Sequence, residues 1–278
     1  MPTIHDTMDY GYDPTVPEPG PLTEPPRAAA LAPSATVDPA YLPPVGKQDT
    51  PSCFVWSSTY GLTTFAAARA GLIADPQSSA QQASPYYTYV QVLAGGGTAA
   101  GTCTGGQITA CLNFLSSNGG TPSMQAAPDP GTDPTPCSAV WTAYGSETIT
   151  ADTSFRPTAW SMIGVLGDTG LDNVRNVIAQ GCALAYGTRL YTDFAKYDGT
   201  PSPYVGNGII AKKPDGKVVG HCMMIIGYDD TTQAVLIQNS FGPGWGSQWN
   251  GNGGYVWMAY KTFQALAQGS AFYITAIE

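Results

Sequence analysis

The sequence predicts an α+β protein. Apolar residues recur at helical spacing from Pro51 onward, strand-like runs dominate from about residue 182, and a Lys-Pro-Asp-Gly-Lys turn (213–217) joins two of those runs as a hairpin. Helices first and antiparallel strands second, within one chain, is the pattern of that class. With 278 residues the chain suits one large domain or two small ones and is long enough to bury a core.

Residues 1–44 stand apart. Pro14, Pro17, Pro19, Pro21, Pro25, Pro26, Pro33, Pro39, Pro43 and Pro44 interrupt every helix and every strand ladder there. Two readings remain open. One is a disordered or polyproline-like tail. The other is an extended arm lying across the domain, anchored by Tyr10, Tyr12 and Leu22.

From Pro51 the elements follow in order. Ser52 is placed to cap a helix beginning at Cys53. Phe54, Val55, Tyr60, Leu62, Phe65 and Ala66 spread over a broad apolar surface, so that helix is buried, and it ends near Gly71. Residues 107–117 read as a second helix, stopped by Asn118-Gly119-Gly120. The prolines of 122–137 mark a surface loop. A further helix covers 171–180 and closes at Gly181. Expected strands are 182–187, 207–212, 218–228, 234–239, 254–259 and 271–277. There is no internal repeat.

Composition excludes several functions. A net charge of −9 argues against nucleic-acid binding, which needs clustered Lys and Arg. The cluster Lys212, Lys213 and Lys217 surrounds a turn and reads as solvated. No apolar run reaches membrane-spanning length. Six cysteines without a CxxC pair, and two histidines, argue against a structural zinc site, and neither a metal nor a cofactor is expected. The glycines of 95–101 lack the acidic residue of a dinucleotide loop and read as a flexible surface turn. Asp129 with Asp133, and Asp229 with Asp230, read as turn residues rather than calcium ligands. Tyr86, Tyr87 and Tyr89 read as core or rim. Sparse lysine with abundant Gly, Ser and Thr points to a secreted or extracytoplasmic protein. The N-terminus has neither a basic n-region nor an apolar h-region, so a leader would already have been removed.

Candidate chemistry gathers at four residues. Cys53 sits where a helix N-terminus would favour a thiolate, against the commoner fate of a small buried hydrophobe. His221 opens the apolar run Gly-His-Cys-Met-Met-Ile-Ile-Gly-Tyr; it is a general base if its second nitrogen is held, and otherwise a satisfied core residue. Asn239 ends the next apolar run and can supply the holding carbonyl; its bland role is a strand-end turn former. Phe241 and Trp245 would shield that hydrogen bond from water. Gln48 can aim its amide at an oxyanion together with the backbone N–H of Cys53, and taken alone is a plain loop glutamine.

In combination these segments resemble the papain-like cysteine peptidases. The matching pieces are Gln48 and Ser52-Cys53, Cys103-Thr-Gly105-Gly106 with Asn118-Gly119-Gly120, Gly220-His221, and Asn239-Ser240-Phe241-Gly242 with Gly244-Trp245-Gly246. They span residues 44–278 in the family's order. The resemblance implies a two-lobed fold in which Cys53 comes from a helical lobe (about 45–165) and His221 and Asn239 from a β-rich lobe (about 166–278). The catalytic domain is then 45–278 and the arm 1–44, lying in the cleft as a built-in inhibitor or lid. It implies a polypeptide substrate across the cleft, touching the backbone of Gly105 and Gly106, and a monomer that hydrolyses peptide bonds through a Cys-His-Asn mechanism and a thioester. Ligation or transpeptidation on the same fold, and non-catalytic peptide binding, are the alternatives.

The sequence departs from the family in several places. The signature Cys-Gly-Ser-Cys-Trp is Thr50-Pro51-Ser52-Cys53-Phe54, so a disulfide cysteine is missing and the loop after Gln48 is one residue shorter. Phe241 replaces a tryptophan. His221 lies farther from Cys53 than the roughly 130–150 residues usual for the family, which places insertions in 122–160. Cys103 and Cys137 lose their usual partners, and the resemblance suggests that they pair with each other.

Overall fold

The computed structural model describes residues 4–146, 148–149 and 155–278. Eight strands form the β part: β1 Ser34–Thr36, β2 Pro157–Gly164, β3 Leu184–Arg189, β4 Gly220–Asp229, β5 Ala234–Gln238, β6 Ser247–Trp249, β7 Asn252–Ala259 and β8 Ala267–Ile277. Their order in the sheet is β2-β8-β3-β4-β5-β7-β6, with β1 pairing β4 off that path. Every ladder is antiparallel. β4 is covered on both faces, which is why its sequence runs as continuous apolar residues instead of alternating.

The buried helix runs as α-helix Cys53–Val55, π-helix Trp56–Thr63 and α-helix Thr64–Arg69. Side-chain hydroxyls run along its interior. Ser58 Oγ donates to the Phe54 carbonyl at 2.6 Å, and Thr63 Oγ1 donates to Ser58 O at 2.9 Å. Such back-bonding satisfies buried hydroxyls while competing with the regular ladder, and a widened π turn is a common result near functional sites. Ser52 does not cap this helix through its side chain. Its hydroxyl turns to Thr50 instead, and the N–H of Cys53, one of the first-turn donors without a partner inside the helix, binds a carbonyl from outside it.

Two helices lie where the sequence showed loop or rim signals. Pro85–Gly95 is opened by Ser84, whose side chain accepts from Tyr87 N, and it buries Tyr86, Tyr87 and Tyr89 in the core. Pro136–Tyr144 begins where 122–137 reads as loop: Pro136 sits in the first helical turn and Thr135 caps it. The helix Ile108–Ser117 falls where expected, and Gly167–Ala179 starts four residues earlier than its apolar pattern. The run 207–212 is not a strand; it forms isolated bridges at Ile210 and Lys212. β2 carries no clear alternation and pairs with β8.

The arm is ordered over the described residues and follows the body closely. It holds a short helix, Ile4–Thr7, ahead of the first proline of its Pro-rich part, and β1 lies between Pro33 and Pro39. Ahead of β1 single hydrogen bonds hold the arm, Thr23 N to Met162 O (2.7 Å) and Ala28 N to Asn176 Oδ1 (2.8 Å), and Val37 N to Ile226 O (2.9 Å) continues the β1–β4 ladder. Tyr10 and Tyr12 are buried anchors, whereas Leu22 is 58% exposed. Cys103 and Cys137 form a disulfide; Cys53, Cys111, Cys182 and Cys222 are free. No helix among the described residues is long and apolar enough to cross a membrane.

Candidate active site

Cys53 begins the buried helix and His221 lies at the start of β4; both are completely buried. Antiparallel pairing of β4 with β5 brings Met224 opposite Gln238 and so carries Asn239, just beyond β5, toward His221. Nε2 of His221 lies 2.7 Å from Oδ1 of Asn239, and the same oxygen accepts the Ser240 N–H at 2.8 Å. Phe241 stacks on the imidazole with ring centroids 4.7 Å apart. Trp245 meets Phe241 edge-on at 5.6 Å and is fixed by its own N–H to Phe194 O. The His–Asn bond is thereby held out of bulk water. Nδ1 of His221 is buried and makes no hydrogen bond of normal geometry; it is the nitrogen left for Cys53.

The Cys53 thiol lies well below its ordinary pKa. Burial alone would raise it, and that is the largest single influence. The neighbouring Cys222 thiol, the His221 imidazole with its charge, and the Cys222 N–H together outweigh burial. Cys222 moves the other way: burial first, then the neighbouring Cys53, hold it strongly protonated. Burial likewise raises Cys111.

Gln48 is fixed through both its side chain and its backbone. Ser240 Oγ donates to its Oε1 at 2.7 Å, and its backbone N–H donates to Ser240 O at 2.9 Å. Its Nε2 then donates to the carbonyl of Tyr10 at 3.0 Å and to Thr50 O at 3.1 Å. The N–H of Cys53 donates to the same carbonyl at 3.0 Å. A peptide carbonyl from the arm therefore sits between two N–H donors, one of them the backbone of Cys53.

The arm continues along the glycine loop. Gly106 N donates to Gly11 O at 3.0 Å, and a Cβ on Gly105 would come within 2.5 Å of the same carbonyl. Gly11 has φ +100°, and a Cβ there would stand 2.0 Å from Pro51 O, so only glycine lets the arm pass this point. The Tyr12 ring then enters a space that exists because residue 187 has no side chain: a Cβ at Gly187 would lie 2.3 Å from it. Farther along, both carboxylate oxygens of Glu18 accept the first N–H groups of helix Ile108–Ser117, at 2.8 Å from Ile108 and 3.0 Å from Thr109.

Cys53, His221, Asn239, Gln48, Gly105, Gly106, Phe241 and Trp245 thus meet in one region. Sequence reasoning missed Ser240, Cys222 and Glu18. Ser240 adjoins Asn239 and Cys222 adjoins His221, but nothing in the sequence shows which way either side chain turns. Glu18 sits among prolines and looks like ordinary surface charge.

The family model described as papain family cysteine protease matches residues 52–274. No curated protein sequence matches the chain. Among solved structures, the chain is similar to xylellain, a cysteine protease from Xylella fastidiosa (19% identity, TM-score 0.65, covering 97% of each chain). It is also similar to digestive procathepsin L 3 from the larval midgut of Tenebrio molitor (16% identity, TM-score 0.64, covering 98% of this chain and 78% of that one). A third is procathepsin B S9 from Trypanosoma congolense (14% identity, TM-score 0.61, 90% and 79%). At these identities the structures speak to the fold.

Proposed function

Because the chain belongs to the papain family of cysteine proteases, we propose that it is a cysteine endopeptidase in which Cys53 is the nucleophile, held inactive here by its own N-terminal arm. The observation that carries this is the Tyr10 carbonyl, bound by Cys53 N and Gln48 Nε2 where a reacting carbonyl would have to lie. His221 takes the Cys53 proton, and the thiolate attacks the substrate carbonyl. The oxygen, now anionic, stays between the same two donors. His221 passes its proton to the leaving amine, and water hydrolyses the thioester. Asn239 keeps the imidazole turned so that Nδ1, not Nε2, faces the sulfur. Gly106 offers its backbone N–H to the peptide, as it does to Gly11.

The arm inhibits by occupation. Tyr10, Gly11 and Tyr12 fill the donor pair, the glycine loop and the adjoining space, so no substrate enters until they leave. The Cys103–Cys137 disulfide supports action in an oxidising, extracytoplasmic compartment. Replacing Cys53 with Ala should abolish cleavage of a denatured protein, a loss on the order of 10⁴-fold or more, while leaving the circular dichroism spectrum unchanged. Residual cleavage by that variant would end the assignment. Mass measurement of the purified protein checks the arm's role: a chain that begins at Gly11 would make the arm a substrate and not an inhibitor.

A further inference from the structure

Cys222 is a second thiol inside the reactive site, and peptide hydrolysis has no use for it. In the β3–β4 ladder Cys222 stands opposite Gly187. Directly opposed residues of an antiparallel pair put their side chains on the same face. On that face Gly187 has none, and the ring of Tyr12 fills the space. Cys222 therefore faces the cleft and not the far side of the sheet. Its thiol and its backbone N–H both act on the Cys53 thiol and draw its pKa down, and the helix that begins at Cys53 packs on β4. Both residues are completely buried, and neither belongs to a disulfide. Cys111, on helix Ile108–Ser117, is a third buried free thiol, raised by burial.

We propose that Cys53 and Cys222 form a redox pair: when a hydroperoxide reaches Cys53, Cys222 closes a reversible disulfide with it. In the first step the Cys53 thiolate attacks one peroxide oxygen. An S–O bond forms, the O–O bond breaks, and the second oxygen leaves as hydroxide; the sulfur is oxidised by two electrons and the peroxide reduced. In the second step the Cys222 sulfur attacks the Cys53 sulfur. The S–S bond forms, the S–O bond breaks, and the sulfenic oxygen departs as water with the Cys222 proton. A dithiol returns the two electrons and restores both thiols. Cys222 stays protonated while Cys53 is the readier thiolate, so oxidation starts at Cys53. Cys222 is the neighbouring thiol, so bridging outpaces further oxidation to sulfinic acid, which is irreversible. The bridge removes the nucleophile, and the arm lies over both sulfurs until it opens.

The effect on activity rests on Cys53 being the nucleophile; the bridge itself does not, and the two are read separately. The full chain is treated with hydrogen peroxide, blocked with an alkylator under denaturing conditions and digested without reduction. A parallel sample carries Tyr12→Ala, which loosens the arm over the pair. Mass spectrometry should show a new cross-link joining the Cys53 and Cys222 peptides, beside Cys103–Cys137, that a dithiol removes. Peptidase activity, each protein compared with its own untreated sample, should be lost and then restored by the dithiol. In Cys222→Ala the loss should not be restored, because Cys53 proceeds to sulfinic acid. Sulfinic Cys53 with free Cys222 in the parent chain, a bridge from Cys53 to another cysteine, or no bridge in either sample would overturn the proposal. A bridge without loss of peptidase activity would leave the pair standing and remove Cys53 as the nucleophile.

Discussion

Gln48 shows how a loop side chain acquires one orientation. Ser240 takes its carbonyl oxygen, so the amide hydrogens turn to Thr50 O and to the carbonyl bound at Cys53. Removing such a donor from an oxyanion site costs about 10²–10³ in rate. Gln48→Ala should therefore lower kcat by that order with KM nearly unchanged, measured on an arm-shortened enzyme; a purely structural glutamine would change stability and leave kcat alone. The lowered Cys53 thiol gives a second check at this scale. A depressed pKa means the thiolate persists as pH falls and is lost only below the shifted value, whereas Cys111, Cys182 and Cys222 are raised and stay thiols. With the arm opened, an alkylator at mildly acidic pH should label Cys53 ahead of all three. Much at this scale was legible in the sequence, since two histidines and one Asn-Ser-Phe-Gly run left few choices. Contacts set by side-chain direction, such as Ser240 to Gln48, were not, because sequence position does not show which way a side chain turns.

Among the elements, the helix Ile108–Ser117 has no cap of its own and borrows Glu18 from the arm. Loss of a cap costs about 1 kcal/mol, roughly fivefold in docking. Glu18→Ala should raise the resting activity of the full chain by that factor. The pH dependence has a definite sign. Burial raises the Glu18 carboxyl, with the bonds from Thr109 and Ile108 opposing, so the docked arm holds its proton more readily than a free one. Its contribution to docking is present at acid pH and fades as pH rises through the docked value. Resting activity should climb with pH in the parent and climb less in Glu18→Ala, read as initial rates across a pH series. The long apolar runs announced β4 and β5 because both faces are covered. Helices Pro85–Gly95 and Pro136–Tyr144 stayed hidden because their opening prolines, favourable in a first turn, are also loop signals.

At the scale of the whole molecule, the arm makes two kinds of contact. Tyr10, Gly11 and Glu18 bind at Cys53, Gly106 and helix Ile108–Ser117, while β1 adds a strand to β4 on the body. Truncation through Gly20 should raise peptidase activity and leave the melting transition close to that of the parent; unchanged activity would mean that the cleft segment does not inhibit. The sequence could announce an extended, Pro-rich segment but not where it runs, since its course is fixed by scattered single hydrogen bonds and by the absent side chain at Gly187. The anchoring of β1 carries a further consequence. An inhibitor tethered to its own target rebinds at an effective concentration on the order of millimolar. Dilution would not wake the enzyme, and a transiently opened cleft would reclose within the same molecule. Lasting release then requires severing the tether between Gly20 and Ser34, a step that converts a first-order lock into a second-order one.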